Sequence, residues 1–216
     1  ESTRLTSDFT NRIAELGADA ALILTPSYFK ARMNQEALKK HYLSVADHSR
    51  APLIIYNNPM NAVVSVDSKL IVELSGHPNI VGIKDSSGNL GNLAEAAPHL
   101  APDFNFIVGS GAVVLASLTL GASGAILAMA NAAPAHCARL YQLFLEKKLE
   151  EAAKLQVDLV PLNKALVHTY GVPAVKYALD LLGYYGGPTR LPLLPPADEA
   201  KKEVTSILRN LGLLKK

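Results

Sequence analysis

Five short apolar runs, each fenced by Gly, Pro, Asn, Asp or Ser, constrain the fold of this chain more than any other feature. They occupy residues 20–25, 53–57, 80–84, 104–109 and 125–129. Between them, residues 35–47, 65–74, 89–100 and 112–120 carry the period of amphipathic helices. Strand alternating with helix, at a spacing of roughly 20 to 30 residues, predicts βαβ units and a parallel sheet. Gly17-Ala18-Asp19-Ala20 and Gly121-Ala122-Ser123-Gly124 each precede a run, and small residues there suit a tight helix-to-strand turn. Beyond Met129 the character changes: residues 134–146, 149–167, 172–182 and 197–211 read as helices. The Gly/Pro-rich segment 184–196 is a connector expected to pack over other elements. The division is thus a βα region over 1–131 and a helical region over 132–216, forming one structural unit.

The strand count leaves two architectures open. A closed (β/α)8 barrel needs eight strands and typically about 250 residues. Five runs fit either an open doubly wound sheet or a barrel without its first three strands. The chain opens at Glu1 without an initiator methionine and enters a helical pattern almost at once, through Leu5, Phe9, Ile13, Leu16 and Ala20. It reads as the interior of a longer polypeptide, whose targeting segment could lie outside it. Cytoplasm and mitochondrial matrix both fit.

Composition narrows the function classes. The chain has 216 residues, 49% hydrophobic and 19% charged, an ordinary balance for a folded domain with a sizeable core. A net charge of +2 without basic runs gives no footprint for nucleic acid. No apolar stretch is long and uninterrupted enough to span a membrane. A single cysteine, Cys137, excludes an internal disulfide framework and fits a reducing compartment. It lies in a helical pattern beside Ala and reads as structural, with His136 on the helix surface.

Chemistry concentrates at Ile80-Val81-Gly82-Ile83-Lys84-Asp85-Ser86-Ser87-Gly88. The β-branched run wants burial on both faces, as in a parallel sheet, and Asp85 to Gly88 is turn chemistry. Lys84 therefore sits where a strand meets its loop. Burial disfavours an ammonium ion, so a lysine here is a candidate amine nucleophile; the bland alternative is a strand-end lysine reaching solvent. Alternation puts Ile80, Gly82 and Lys84 on one face. Tyr56 ends the preceding strand at matching depth and can shuttle protons during imine formation; taken alone, it is as simply a core ring with its hydroxyl on a backbone carbonyl. Tyr28 follows the first strand in Thr25-Pro26-Ser27-Tyr28, as a mouth residue or a surface aromatic. Gly109-Ser110-Gly111 follows the fourth strand and could hold a phosphate or carboxylate on backbone amides, though a tight turn is the simpler role for so short a match. The six histidines lack metal-ligand spacing, and no nucleophile elbow, Walker A loop or dinucleotide fingerprint is present.

As an ordered set, Glu1-Ser2-Thr3, Gly17-Ala18-Asp19, Thr25-Pro26-Ser27-Tyr28, Tyr56-Asn57-Asn58-Pro59, residues 77–88, Gly109-Ser110-Gly111, residues 121–131 and residues 184–193 resemble the dihydrodipicolinate synthase / N-acetylneuraminate lyase family of Schiff-base aldolases. Lys-Asp-Ser-Ser-Gly and Gly-Tyr-Tyr-Gly-Gly-Pro make the chain look most like the 4-hydroxy-2-oxoglutarate aldolase branch. The resemblance implies a TIM (β/α)8 barrel with a C-terminal helical extension, here without its first three βα units, and a homo-oligomer, dimer or tetramer. It implies that Lys84 forms an imine with pyruvate or a related 2-keto acid, that Tyr56 relays protons, and that Tyr28 reaches a neighbouring subunit's site. Ser86 matches a serine near the substrate and Ile126 a strand residue close to the lysine. No diffusible cofactor or metal is implied, only the covalent imine.

Two departures bear on the substrate. Family members that make dihydrodipicolinate carry Arg two positions after the Tyr-Asn-x-Pro proline, then Thr-Gly; this chain has Asn61 followed by Ala62-Val63. Loss of that cation favours the aldolase branch over dihydrodipicolinate synthesis. The family's Gly-Thr-Thr-Gly-Glu-like loop, which holds the keto-acid carboxylate, falls before Glu1. The expected activity is class I aldol cleavage or condensation of a pyruvate-derived 2-keto acid such as 4-hydroxy-2-oxoglutarate, and the competing expectations are an impaired homologue with a structural or regulatory role and a dihydrodipicolinate synthase.

Overall fold

The computed structural model describes residues 1–214. They fall into two compact units: Glu1–Gly109 with Ala116–Ala125, and Ser110–Leu115 with the chain from Ile126 onward.

The first unit holds a parallel sheet of five strands: β1 (Ala21–Leu24), β2 (Leu53–Asn57), β3 (Ile80–Asp85), β4 (Asn105–Val108) and β5 (Gly124–Ala125). Their spatial order is their chain order, and every pair is parallel. A doubly wound sheet reverses its strand order at a switch point. This sheet winds in one direction only, as a barrel does, so the doubly wound alternative is set aside.

Helices α1 (Thr3–Glu15), α2 (Gln35–His48), α3 (Pro59–Ala62), α4 (Ser68–Ser75) and α5 (Leu90–Ala96) fill the connections, and α6 (Val114–Thr119) precedes β5. Four begin where a short polar side chain accepts an otherwise unpaired N–H: Ser2 from Leu5, Asn34 from Ala37, Asp67 from Leu70 and Asn89 from Asn92. The sheet turns one face to these helices. Ile23, Leu53, Ile55, Ile83, Phe106 and Val108 are buried there, with Leu38, Tyr42, Val45, Ile71, Leu74 and Leu93 from the helices. Tyr42 donates its hydroxyl to the Ile23 carbonyl at 3.3 Å.

Burial on both sheet faces is not observed. Leu22 and Leu24 are 46% and 43% exposed, and Tyr56, Lys84 and Ile107 are half-buried. Strict alternation along β3 also fails, because a register shift at Leu53/Ile54 places Ile80 opposite Leu53 and Gly82 opposite Ile54. Gly82 is required there: a Cβ would stand 2.5 Å from the Asn105 carbonyl oxygen.

Other boundaries need correction. The fifth run forms strand only at Gly124–Ala125, and Ala128–Asn131 is a 3-10 turn. A short Ala-rich apolar run suits a helical turn as well as a strand, and periodicity cannot separate the two. In α1 the apolar stripe Leu5, Phe9 and Leu16 is exposed, whereas Ser7 and Thr10 are buried, their hydroxyls satisfied on the Thr3 and Ser7 carbonyls.

The second unit is helical: α7 (Pro134–Leu145), α8 (Leu149–Asn163), α9 (Val172–Leu181) and α10 (Asp198–Asn210). The helix expected over 149–167 ends at Asn163 and continues as a π-helical stretch, Lys164–Thr169. Pro161 lacks the N–H that would continue the regular ladder, and wider turns follow it. The 184–196 connector does not pack as expected: Tyr184, Tyr185, Leu191 and Leu194 are all exposed. Its anchor is Gly186, whose N–H donates to Asp180 and whose carbonyl accepts from Lys176 Nζ. No helix among the described residues is long and apolar enough to cross a membrane.

Candidate active site

The centre of the site is one register match. Tyr56 on β2 pairs with Lys84 on β3, so both side chains stand on the open sheet face at the strands' C-terminal ends. Lys84 Nζ lies over the Tyr56 ring, 4.1 Å from its centroid. An amine on the face of an electron-rich ring is a stabilising cation–π contact when protonated. The tyrosine hydroxyl does not rest on a backbone carbonyl; it accepts from Asn58 Nδ2 at 3.1 Å.

The loop after β3 is tied down from below. Asp85, 5% exposed, accepts from Asn57 Nδ2 at 3.0 Å, and from the backbone N–H and hydroxyl of Ser87. Asn57, wholly buried, turns its carbonyl oxygen to the Val66 N–H at 3.0 Å. The next backbone steps link the strand ends: Ser86 N–H donates to the Asn57 carbonyl at 2.8 Å and Gly109 N–H to the Asp85 carbonyl at 2.6 Å. The strand end that carries Lys84 is therefore joined to its neighbours by a polar network. Ser86 and Gly109 are brought together, since a Cβ on Gly109 would overlap Ser86 Oγ. Glycine at 109 is what lets the serine hydroxyl lie over the neighbouring strand end.

The remaining expected site residues are placed as follows. Tyr28 is 79% exposed, its ring edge-on to Phe29 at 5.0 Å. Its loop is clasped by Glu1, whose carboxylate accepts from the Tyr28 and Ser27 N–H groups at 3.0 Å each. Those backbone bonds, Tyr28's foremost, hold the Glu1 carboxyl below the usual range. Asn61 is exposed on α3, its N–H bonded to the Asn58 carbonyl. Ile126 lies in the second unit and is exposed. In that unit Asn163 accepts from Gly111 N–H at 3.1 Å, and Gln156 donates to the Gly111 carbonyl at 2.9 Å, bracing the segment that follows Gly109.

Elsewhere, burial pushes the Cys137 thiol up to about 11. His136 is half-buried on α7. Among the described residues no group of three His, Cys, Asp or Glu side chains could hold a metal ion.

Sequence reasoning missed Asn57, Asn58, Asp85, Gln156 and Asn163. Asn57 and Asp85 end β2 and β3 and Asn58 comes next after Asn57, in stretches where Asn and Asp read as turn formers. Their one signal is position, directly beside Tyr56 and Lys84.

The sequence pattern of the dihydrodipicolinate synthetase family matches residues 1–211. A 4-hydroxy-tetrahydrodipicolinate synthase of Thermodesulfovibrio yellowstonii is 37% identical over 207 residues, 95% of this chain and 70% of that protein. Among solved structures, the dihydrodipicolinate synthase of Cyanidioschyzon merolae with lysine bound superimposes with a TM-score of 0.92 at 30% identity, over 99% of this chain and 72% of that one. The chloride-inhibited dihydrodipicolinate synthase of Acinetobacter baumannii, complexed with pyruvate, gives 0.90 at 32% identity, with 99% and 72% covered. The fold is that of these α/β barrels, of which this chain covers about seven tenths.

Proposed function

Because the chain belongs to the dihydrodipicolinate synthetase family, we propose that Lys84 is the amine that forms an imine with pyruvate or a pyruvate-like 2-keto acid. The observation that carries this reading is Lys84 Nζ held 4.1 Å over the Tyr56 ring at adjoining strand ends. The neutral amine attacks the keto carbon and a C–N bond forms. The carbonyl oxygen takes up protons, one through the Tyr56 hydroxyl, and leaves as water. The resulting iminium is an electron sink. When the C3–C4 bond of a 4-hydroxy-2-oxo acid breaks, its electron pair passes into an enamine, and the hydroxyl proton goes to a base as the aldehyde departs. Protonation of the enamine carbon and hydrolysis release pyruvate and restore the amine; the reverse sequence condenses pyruvate with an aldehyde. Tyr28, exposed on its loop, completes the relay in a second copy of the chain within a homo-oligomer.

Two aldehyde partners have support. The names of the relatives favour the 4-hydroxy-tetrahydrodipicolinate synthase reaction, condensation with a carboxylate-bearing semialdehyde. The uncharged, exposed Asn61, followed by Ala62-Val63, favours cleavage of 4-hydroxy-2-oxoglutarate to pyruvate and glyoxylate. The test measures pyruvate release from 4-hydroxy-2-oxoglutarate and pyruvate consumption with the semialdehyde, each with Lys84→Ala as control. Activity that Lys84→Ala abolishes supports the enzyme and names the partner. Activity with neither, in folded protein, supports the impaired homologue instead.

A further inference from the structure

We infer that Asn58 is a positioning residue for Tyr56, fixing the hydroxyl so that its proton faces the reacting group. The inference rests on the imine chemistry proposed for Lys84.

A phenol oxygen carries one proton and accepts at its lone pairs. Asn58 Nδ2 occupies an acceptor position of Tyr56 Oη at 3.1 Å, which leaves the phenolic proton unspent by that bond. The backbone enforces the arrangement. Pro59 excludes helical geometry at the residue before it, and Asn58 accordingly sits at φ −136°, ψ 71°. Its carbonyl is anchored by the Asn61 and Ala62 N–H groups at the start of α3. The side chain therefore folds back across a two-residue step onto the ring end of Tyr56.

A second observation argues that this bond has a purpose beyond packing. Asn58 is 7% exposed, and its amide oxygen Oδ1 is buried with no hydrogen-bond partner among the described residues. A buried acceptor left unpaired is unfavourable, and an apolar side chain of the same shape avoids the cost entirely. An asparagine in that position is explained by what its other end does, which is to donate to Tyr56. Lys84 lies over the face of the same ring, so ring and hydroxyl are held from two directions.

The experiment compares wild type, Asn58→Leu and Asn58→Asp. Leu keeps the volume without polarity; Asp keeps the shape but cannot donate when ionised. The rate of borohydride-trappable imine formation with pyruvate is measured at saturation and at low pyruvate. The expected result is that both variants lose about tenfold or more in the saturated rate, while half-saturation moves by less than about threefold. Imine formation in both variants at the wild-type saturated rate overturns the inference. If Asn58→Leu fails to fold, Asn58→Asp decides alone. A wild type that forms no imine refutes the Lys84 reading, and a separate readout then judges Asn58. In ¹⁵N-labelled protein, the Asn58 side-chain amide proton is expected to shift upfield and exchange faster in Tyr56→Phe, and an unmoved resonance overturns the bond itself.

Discussion

At the scale of single residues, Lys84 and Tyr56 owe their proximity to strand register, and hydrogen bonds among Asn57, Asp85, Ser86 and Ser87 hold the strand ends beside them. Lys84→Ala is expected to abolish imine formation and turnover while leaving the melting temperature near wild type, since the side chain is half-buried on the open face; thermal melts beside a borohydride assay check both. Tyr56→Phe keeps the ring under the amine but removes the hydroxyl. Its turnover is expected to fall about 10²- to 10⁴-fold, the range for a lost proton-transfer group, with a smaller change in KM. Gly82→Ala forces a Cβ to 2.5 Å from a backbone carbonyl that cannot swing aside. It is expected to cost about 1–3 kcal/mol in denaturant unfolding. The proximity of Lys84 and Tyr56 was legible because a parallel sheet aligns the ends of adjacent apolar runs, although a strand-end lysine alone reads equally well as one reaching solvent. The bond between Asp85 and Asn57 was not legible, because a carboxylate or amide at a strand's end has the same sequence signature whether it shapes a turn or satisfies a neighbouring strand.

At the scale of elements, helices and strands followed from periodicity wherever one face was clearly apolar, as in α2 and α4. Reasoning failed where the pattern was ambiguous. The fifth run is Ala-rich enough to turn, and α1 buries its hydroxyl-bearing face while Leu5 and Phe9 stay exposed. Two elements carry testable consequences. Val63, which ends α3, holds φ +61°, a left-handed conformation unfavourable for a β-branched residue. Val63→Gly is expected to raise stability by about 0.5–1 kcal/mol, the relieved strain exceeding glycine's entropic cost, as read by chemical denaturation. On α2, burial pushes the His41 imidazole below its ordinary value, and its Nδ1 lies 2.9 Å from Thr3 Oγ1. The folded state therefore resists protonation that the unfolded chain accepts near pH 6.5. Stability is expected to fall as pH drops below that value, until the folded histidine also protonates. His41→Gln should flatten this part of the profile, measured as Tm between pH 7.5 and 5.5.

At the scale of the whole molecule, the five strands wind in sequence order and present Leu24, Tyr56, Lys84 and Ile107 along one register line of the open face. That arrangement decided between the two architectures that strand counting left open, because order in space is a tertiary property that local patterns do not encode. It also gathers residues far apart in the chain into one place, the candidate site. The central claim is that Lys84 is an imine-forming amine, and one measurement reaches it without knowing the aldehyde partner. The protein is incubated with pyruvate and borohydride, its intact mass measured and the modified peptide sequenced. The expected result is a single pyruvate-derived adduct on Lys84 that is lost in Lys84→Ala. Folded protein that acquires no adduct, or acquires it on another lysine, contradicts the account.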